Sequence, residues 1–119
     1  MIQLLEEPKD ELVMLKMVSK LDQKDYDQVV PFLEKQIKQY GKIKVYLEIE
    51  DLEGMTAQAM WQEVKFDLSH RTDFAKIAIT GDAEWLEWLA RVSSYLIPAP
   101  IRHFKLSDKA AALQWLREK

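Results

Sequence analysis

The sequence predicts an α/β fold: one domain on a mostly parallel five-stranded sheet, opened by an antiparallel hairpin. Three observations carry this. From residue 22 onward, short strand-like apolar runs alternate with longer segments of helical spacing. That alternation favours right-handed crossovers and parallel strands. Before them, two short apolar-rich runs flank the turn-forming Pro8-Lys9-Asp10. Finally, 119 residues, 48% hydrophobic and 31% charged, are one domain's worth of chain; no repeat, low-complexity stretch or long linker divides residues 1–119.

The elements follow in order. Ile2–Glu7 and Glu11–Val18 form the hairpin strands. Asp22 and Asp25 suit a helix N-terminus, as cap and against the dipole. Tyr26, Val29, Val30, Leu33, Ile37 and Tyr40 then recur at helical spacing, and Gly41 closes the helix. Pro31 inside this pattern lacks an N–H, so a kink or a late start to the regular helix is expected. Ile43, Val45, Leu47 and Ile49 alternate with Lys44, Tyr46 and Glu48, which makes a strand with one strongly apolar face. A loop containing Gly54 leads to Thr56, the expected N-cap of a helix running to about Thr72. Phe74–Thr80 reads as a buried strand ending at Gly81-Asp82, and Ala83–Leu96 as a helix. Pro98 and Pro100 impose an extended link. Ile101–Leu106 is a strand, Ser107 a cap, and Ala110–Arg117 the fourth helix. The order is β-β-α-β-α-β-α-β-α.

The composition removes much chemistry. Without cysteine there are no disulfides, thiolate metal sites or thiol nucleophiles. The net charge of -3 and interspersed lysines argue against a nucleic-acid partner. The acidic N-terminal stretch is not a signal peptide, and no apolar run approaches the ~18–20 residues of a membrane span, so a cytoplasmic location is the default. Gly41, Gly54 and Gly81 are too scattered for a phosphate-binding loop, and no nucleophile or metalloprotease motif occurs. His70 and His103 read as a surface and a strand histidine. The acids Glu48, Glu50, Asp51 and Glu53 lack calcium-loop spacing and read as solvated charge. Glu48 stands out because it falls mid-strand. If its face is covered, desolvation raises its pKa; the simpler reading is a partly open face and a pair with Lys44 or a neighbouring strand. No catalytic set, cofactor or metal is expected.

The aromatic residues are more informative. The chain has four tryptophans, all in its second half. In the helix over 56–72, Ala57, Met60, Trp61, Val64 and Leu68 share the core arc while Phe66 falls nearly opposite. In the helix over 83–96, Trp85, Leu86, Trp88, Leu89, Val92, Tyr95 and Leu96 cover close to half the circumference. A helix packed on one sheet face needs an apolar stripe only a little over 100° wide. The surplus suits a groove, an oligomer interface or a membrane interface, because indole pairs an apolar body with a polar N–H. Burial of both flanks by neighbouring helices is the rival reading.

Four stretches together resemble a known family. They are Asp25-Tyr26, Pro31 and Gly41 to Lys44; Gly54-Met55, Trp61 and Lys65-Phe66-Asp67; Ile77 to Asp82 with Trp85; and Ala111-Ala112 with Trp115-Leu116. Their order and spacing look like the small bacterial SpoIIAA-like proteins of the STAS/SEC14 type, across nearly the whole chain. The resemblance implies four successive β-α units, kinship with anti-sigma-factor antagonists and lipid-carrying CRAL-TRIO domains, an apolar cavity beneath mobile helices, and membrane association. The antagonists' phosphorylatable turn is not reproduced: here it reads Asp51-Leu52-Glu53-Gly54-Met55-Thr56, with no Ser before the glycine. Thr56 is the candidate phosphorylation site there, against a plain N-cap reading. The expected function is therefore a non-enzymatic module binding a lipid or small hydrophobic molecule in a groove between the helices over 56–72 and 83–96, at a membrane surface. The groove residues are Trp61, Phe66, Trp85, Trp88, Leu89, Val92, Tyr95 and Leu96. The alternative is a protein interface or regulatory role on the same surface, most simply a homodimer.

Overall fold

A computed structural model describes residues 2–18, 23–50 and 73–118. Its five strands are β1 (Ile2–Leu4), β2 (Leu12–Val18), β3 (Ile43–Glu50), β4 (Phe74–Thr80) and β5 (Ile101–Phe104). Three α-helices lie among the described residues: α1 (Gln23–Tyr40), α2 (Trp85–Leu96) and α3 (Lys109–Arg117). A 3-10 turn over Leu106–Asp108 precedes α3. The strands lie in the order β1-β2-β3-β4-β5. Only the β1–β2 pair is antiparallel. This is the α/β architecture expected from the sequence; the helix expected over 56–72 lies outside the described residues.

Strand alternation gives the sheet two unlike faces. Val13, Leu15 and Met17 of β2 share one with Val45 and Ile49 of β3 and Ile77 and Ile79 of β4. Leu86, Leu89 and Ala90 of α2 close over them, and Val29, Phe32, Leu33 and Ile37 bring α1 against the same core. Successive right-handed crossovers between neighbouring parallel strands put their helices on one face, which is why α1 and α2 share it. The register shifts where Ile43 pairs with Phe74 but Lys44 with Lys76. The extra residue turns Phe74 toward the α1/α2 core, out of phase with Lys76. The opposite face carries Leu12, Met14, Tyr46 and Ala78 under Ala112 and Leu116 of α3.

Local chemistry explains most boundaries. Gly41 follows α1 with φ of 81°, a left-handed conformation that favours glycine. Its N–H donates to Ile37 O at 2.8 Å, closing the helix as expected. Pro31 does not delay α1, which is already helical at Gln23. The first strand is shorter than expected and ends at Leu4, ahead of Glu6, Glu7 and Pro8, poor strand formers. Ser107 is not the cap of α3: the chain passes through the 3-10 turn, and Asp108 occupies that position without a side-chain capping bond. Gly81, just past β4, allows a close approach. A Cβ there would sit 2.6 Å from the Ile49 carbonyl oxygen and 2.5 Å from Leu86 Cδ1.

Candidate functional site

Around α2, burial is graded rather than two-sided. Leu86, Leu89 and Ala90 are sealed at 0%, 4% and 5% exposure. Trp85 and Val92 are half-buried. Trp88 is 50% exposed and Tyr95 83% exposed. Trp88, Val92 and Tyr95 stand at i, i+4 and i+7, so they form one stripe about 60° wide along the outer side of the helix. Beside it lie exposed Glu84 and Glu87, with Arg91 Nη2 3.7 Å from Glu87 Oε1. Half of the expected apolar arc is thus core, and the other half is a surface stripe. Of the eight residues expected to line a groove, α2 presents Trp88, Val92 and Tyr95 outward, with Trp85 at the margin, and Leu89 belongs to the core. Trp61, Phe66 and the Thr56 turn lie outside the described residues, as does the side chain of Leu96.

A second feature sits on the α3 face at the C-terminal ends of the parallel strands, where open α/β sheets commonly bind ligands. Lys16, Glu48 and Thr80 are in register across β2, β3 and β4. Glu48 is 7% exposed. Its Oε1 accepts a 2.9 Å hydrogen bond from the Tyr46 hydroxyl and lies 3.5 Å from Lys109 Nζ of α3. Its Oε2 lies 3.8 Å from Lys16 Nζ, which also reaches Glu50 Oε2 at 2.8 Å. The covered-face reading of Glu48 therefore holds in part, and the neighbouring strand and α3 supply its partners. Lys44 turns instead to Glu11, at 4.0 Å. Burial, reinforced by the bond to Glu48, holds the Tyr46 phenol far above the ordinary tyrosine range. The hydrogen bond to Glu50 raises the Lys16 ammonium. The Thr80 hydroxyl, fully buried beside them, lies near enough to the Tyr46 phenol to oppose part of the rise in its pKa but makes no well-aligned hydrogen bond.

Two smaller features lie elsewhere among the described residues. A cleft of about 240 Å³ opens between β1, β2 and α1, lined by Ile2, Leu4, Leu15, Val29 and Phe32, with Asp25 and Gln28. His103 Nε2 lies 2.8 Å from the Gly81 carbonyl, a strand histidine as expected. No group of three or more His, Asp or Glu able to hold a metal occurs among the described residues.

The model of the SpoIIAA-like family matches residues 12–117. The chain belongs to the SpoIIAA-like family. A crystal structure similar to this SpoIIAA-like chain is that of an uncharacterized protein of the DUF3478 family, with a SpoIIAA-like fold, from Shewanella loihica PV-4. The two are 30% identical and superpose with a TM-score of 0.71, over 98% of this chain and 92% of that one. No curated protein matches. The SpoIIAA-like fold is compatible with a binding or regulatory module. Among the described residues no helix of this SpoIIAA-like protein is long and apolar enough to cross a membrane.

The aromatic stripe was visible in the sequence as an over-wide apolar arc. The Lys16–Glu48–Thr80 row was only half visible. Glu48 stood out as a mid-strand acid, but its partners Lys16 and Lys109 come from distant parts of the chain. Strand register, which one sequence does not print, would have paired them.

Proposed function

We propose that this SpoIIAA-like protein is a non-enzymatic binding module of the STAS/SEC14-like kind, engaging a lipid or comparable small hydrophobic molecule at a membrane surface through the outer stripe of α2. The observation that carries this is the exposure of Trp88 at 50% and Tyr95 at 83%, on a helix whose inner side is sealed in the core. The stripe is therefore not needed for the packing of α2. Indole and phenol each join an apolar ring to a polar tip, which suits the boundary between headgroups and acyl chains. The flanking charges Glu84, Glu87 and Arg91 supply no basic excess, which favours zwitterionic over anionic lipid.

Trp88 and Tyr95 together expose on the order of 300 Å². A stable protein interface needs about 800 Å² per partner, so this stripe alone is too small to hold a homodimer. The test is tryptophan fluorescence during titration with phosphatidylcholine vesicles and with a free fatty acid, alongside light scattering. The expected result is a blue shift with vesicles or fatty acid that Trp88→Ala removes while the far-ultraviolet circular dichroism is unchanged. No spectral change with either overturns the reading, and a dimer that Trp88→Ala dissociates replaces it with a protein interface.

A further inference from the structure

The hold on α3 differs in kind from the hold on α1 and α2. The buried residues of α3 are Ala112 and Leu116 alone, with Leu113 and Trp115 packed at the margin. Its two ends are fastened by charge. At the N-terminal end, Lys109 Nζ lies 3.5 Å from buried Glu48 and 5.7 Å from the Tyr46 ring. At the C-terminal end, Lys76 Nζ reaches up from β4 and donates to Trp115 O and Glu118 O, each at 2.8 Å. There Arg117 Nη1 also pairs with Asp10 Oδ2 at 3.4 Å. Trp115 is flanked by Lys76 and Arg102, at 5.1 and 5.4 Å from its ring.

Beneath this helix lies a surface that gains from water. Glu48 is a carboxylate held at 7% exposure, and Thr80 is a fully buried hydroxyl without a well-aligned partner. Burying either is unfavourable unless its bonds are made, and closure of α3 desolvates a carboxylate, whereas the buried polar groups of α1 and α2 among the described residues are the neutral Gln36 and Ser93. A small apolar contact, charge at both ends and polar groups underneath describe an element of low local stability.

We propose that residues 105–117, the 3-10 turn and α3, form a charge-held cover that lifts from the sheet as a unit, with the Glu48–Lys109 pair setting how often it opens. Lifting uncovers the Lys16–Glu48–Thr80 row together with Met14, Tyr46 and Ala78 at the C-terminal rim of the sheet. The exposed N-terminal link at Lys105 is the pivot. The Leu106 N–H donates to Asp82 Oδ1 at 3.0 Å, a tether beside that pivot as the rest of the cover lifts. This surface is opposite the α2 stripe, and the inference does not depend on what that stripe binds.

Hydrogen exchange followed by mass spectrometry on the full chain tests the cover. At about 50 mM salt, amides 109–117 are expected to exchange several-fold faster than those of α1 and β3. Raising salt to about 0.5 M, which screens partly exposed pairs, is expected to accelerate α3 selectively. Lys109→Met keeps the aliphatic stem but removes the charge. It is expected to speed α3 exchange about three- to tenfold, leave α1 unchanged, and flatten the salt response. Glu48→Gln, which keeps an acceptor for Tyr46, should act in the same direction. If the Glu48 variant fails to fold, Lys109→Met still decides, since that side chain is 44% exposed. Exchange of α3 in step with α1 and β3 at both salt concentrations, or equal acceleration everywhere in Lys109→Met, overturns the proposal.

Discussion

The two faces of this sheet are built from alternate residues of the same strands, yet they are held by different physics. On the α1/α2 face, Val13, Leu15, Val45, Ile77 and Ile79 meet Leu86 and Leu89, and the stabilisation is the apolar area removed from water. On the α3 face, a smaller apolar cluster gives way toward the strand ends to Lys16, Glu48 and Thr80, with Tyr46 and Lys109 bonded to the carboxylate. The first face tolerates loss of a contact in proportion to the volume removed. On the second, each group depends on its partner being present, because an unpaired polar atom in a low-dielectric setting is penalised more than a pair is rewarded.

The largest effect belongs to the first face. Leu86 is fully buried, the second residue of α2, and bears on the core beneath Gly81. Leu86→Ala should destabilise the fold by about 3 kcal/mol, read as a lower midpoint in urea denaturation. On the second face, Glu48→Ala should lose about 2 kcal/mol although it removes little apolar area. The loss arises because Tyr46, Lys109 and Lys16 lose an acceptor. Loss of Glu48 without a measurable change in stability would mean that the two faces do not differ in this way.

The α3 face also has an alkaline signature. Tyr46 has a raised folded-state pKa, so in the unfolded chain it releases its proton at lower pH than in the fold. Its contribution to stability is complete below about pH 10 and falls as the pH rises above that value. Lys16, also raised, works in the same direction. Absorbance near 295 nm should therefore show a phenolate step that coincides with alkaline unfolding and is missing in Tyr46→Phe. A Tyr46 step that precedes loss of circular dichroism would contradict the burial that causes the shift.

What the sequence revealed follows the same division. Period-two alternation located β3, and short apolar runs bounded by turn residues located β2 and β4, almost to the residue. Helical spacing and Gly41 located α1 and its end. The antiparallel opening was read correctly but made too long, since β1 stops before its two glutamates. At the far end, the 3-10 turn displaced the expected Ser107 cap, as short turns carry little periodic signal. The breadth of the α2 arc was readable on a helical wheel. Which flank of it is sealed depends on neighbouring elements and was not. The polar row needed register: Lys16, Glu48 and Thr80 are unremarkable apart and meaningful only side by side.

The smallest expected effect has the opposite sign. Thr80 Oγ1 is buried without a well-aligned partner, and Thr80 stands in register between Glu48 of β3 and Phe104 of β5. Thr80→Val replaces that hydroxyl by a methyl of nearly the same size and keeps the β-branched shape that strands favour. Ordinarily this exchange loses a hydrogen bond and destabilises. Here no well-aligned bond is lost and the desolvation of the hydroxyl is removed, so the variant should be as stable as the parent or more stable by up to about 1 kcal/mol. A shift of the urea midpoint upward at unchanged slope is the expected reading. A clear destabilisation would show that the hydroxyl serves the Tyr46–Glu48 network after all. The α3 face would then be a fully satisfied polar core, with less reason than proposed above to open.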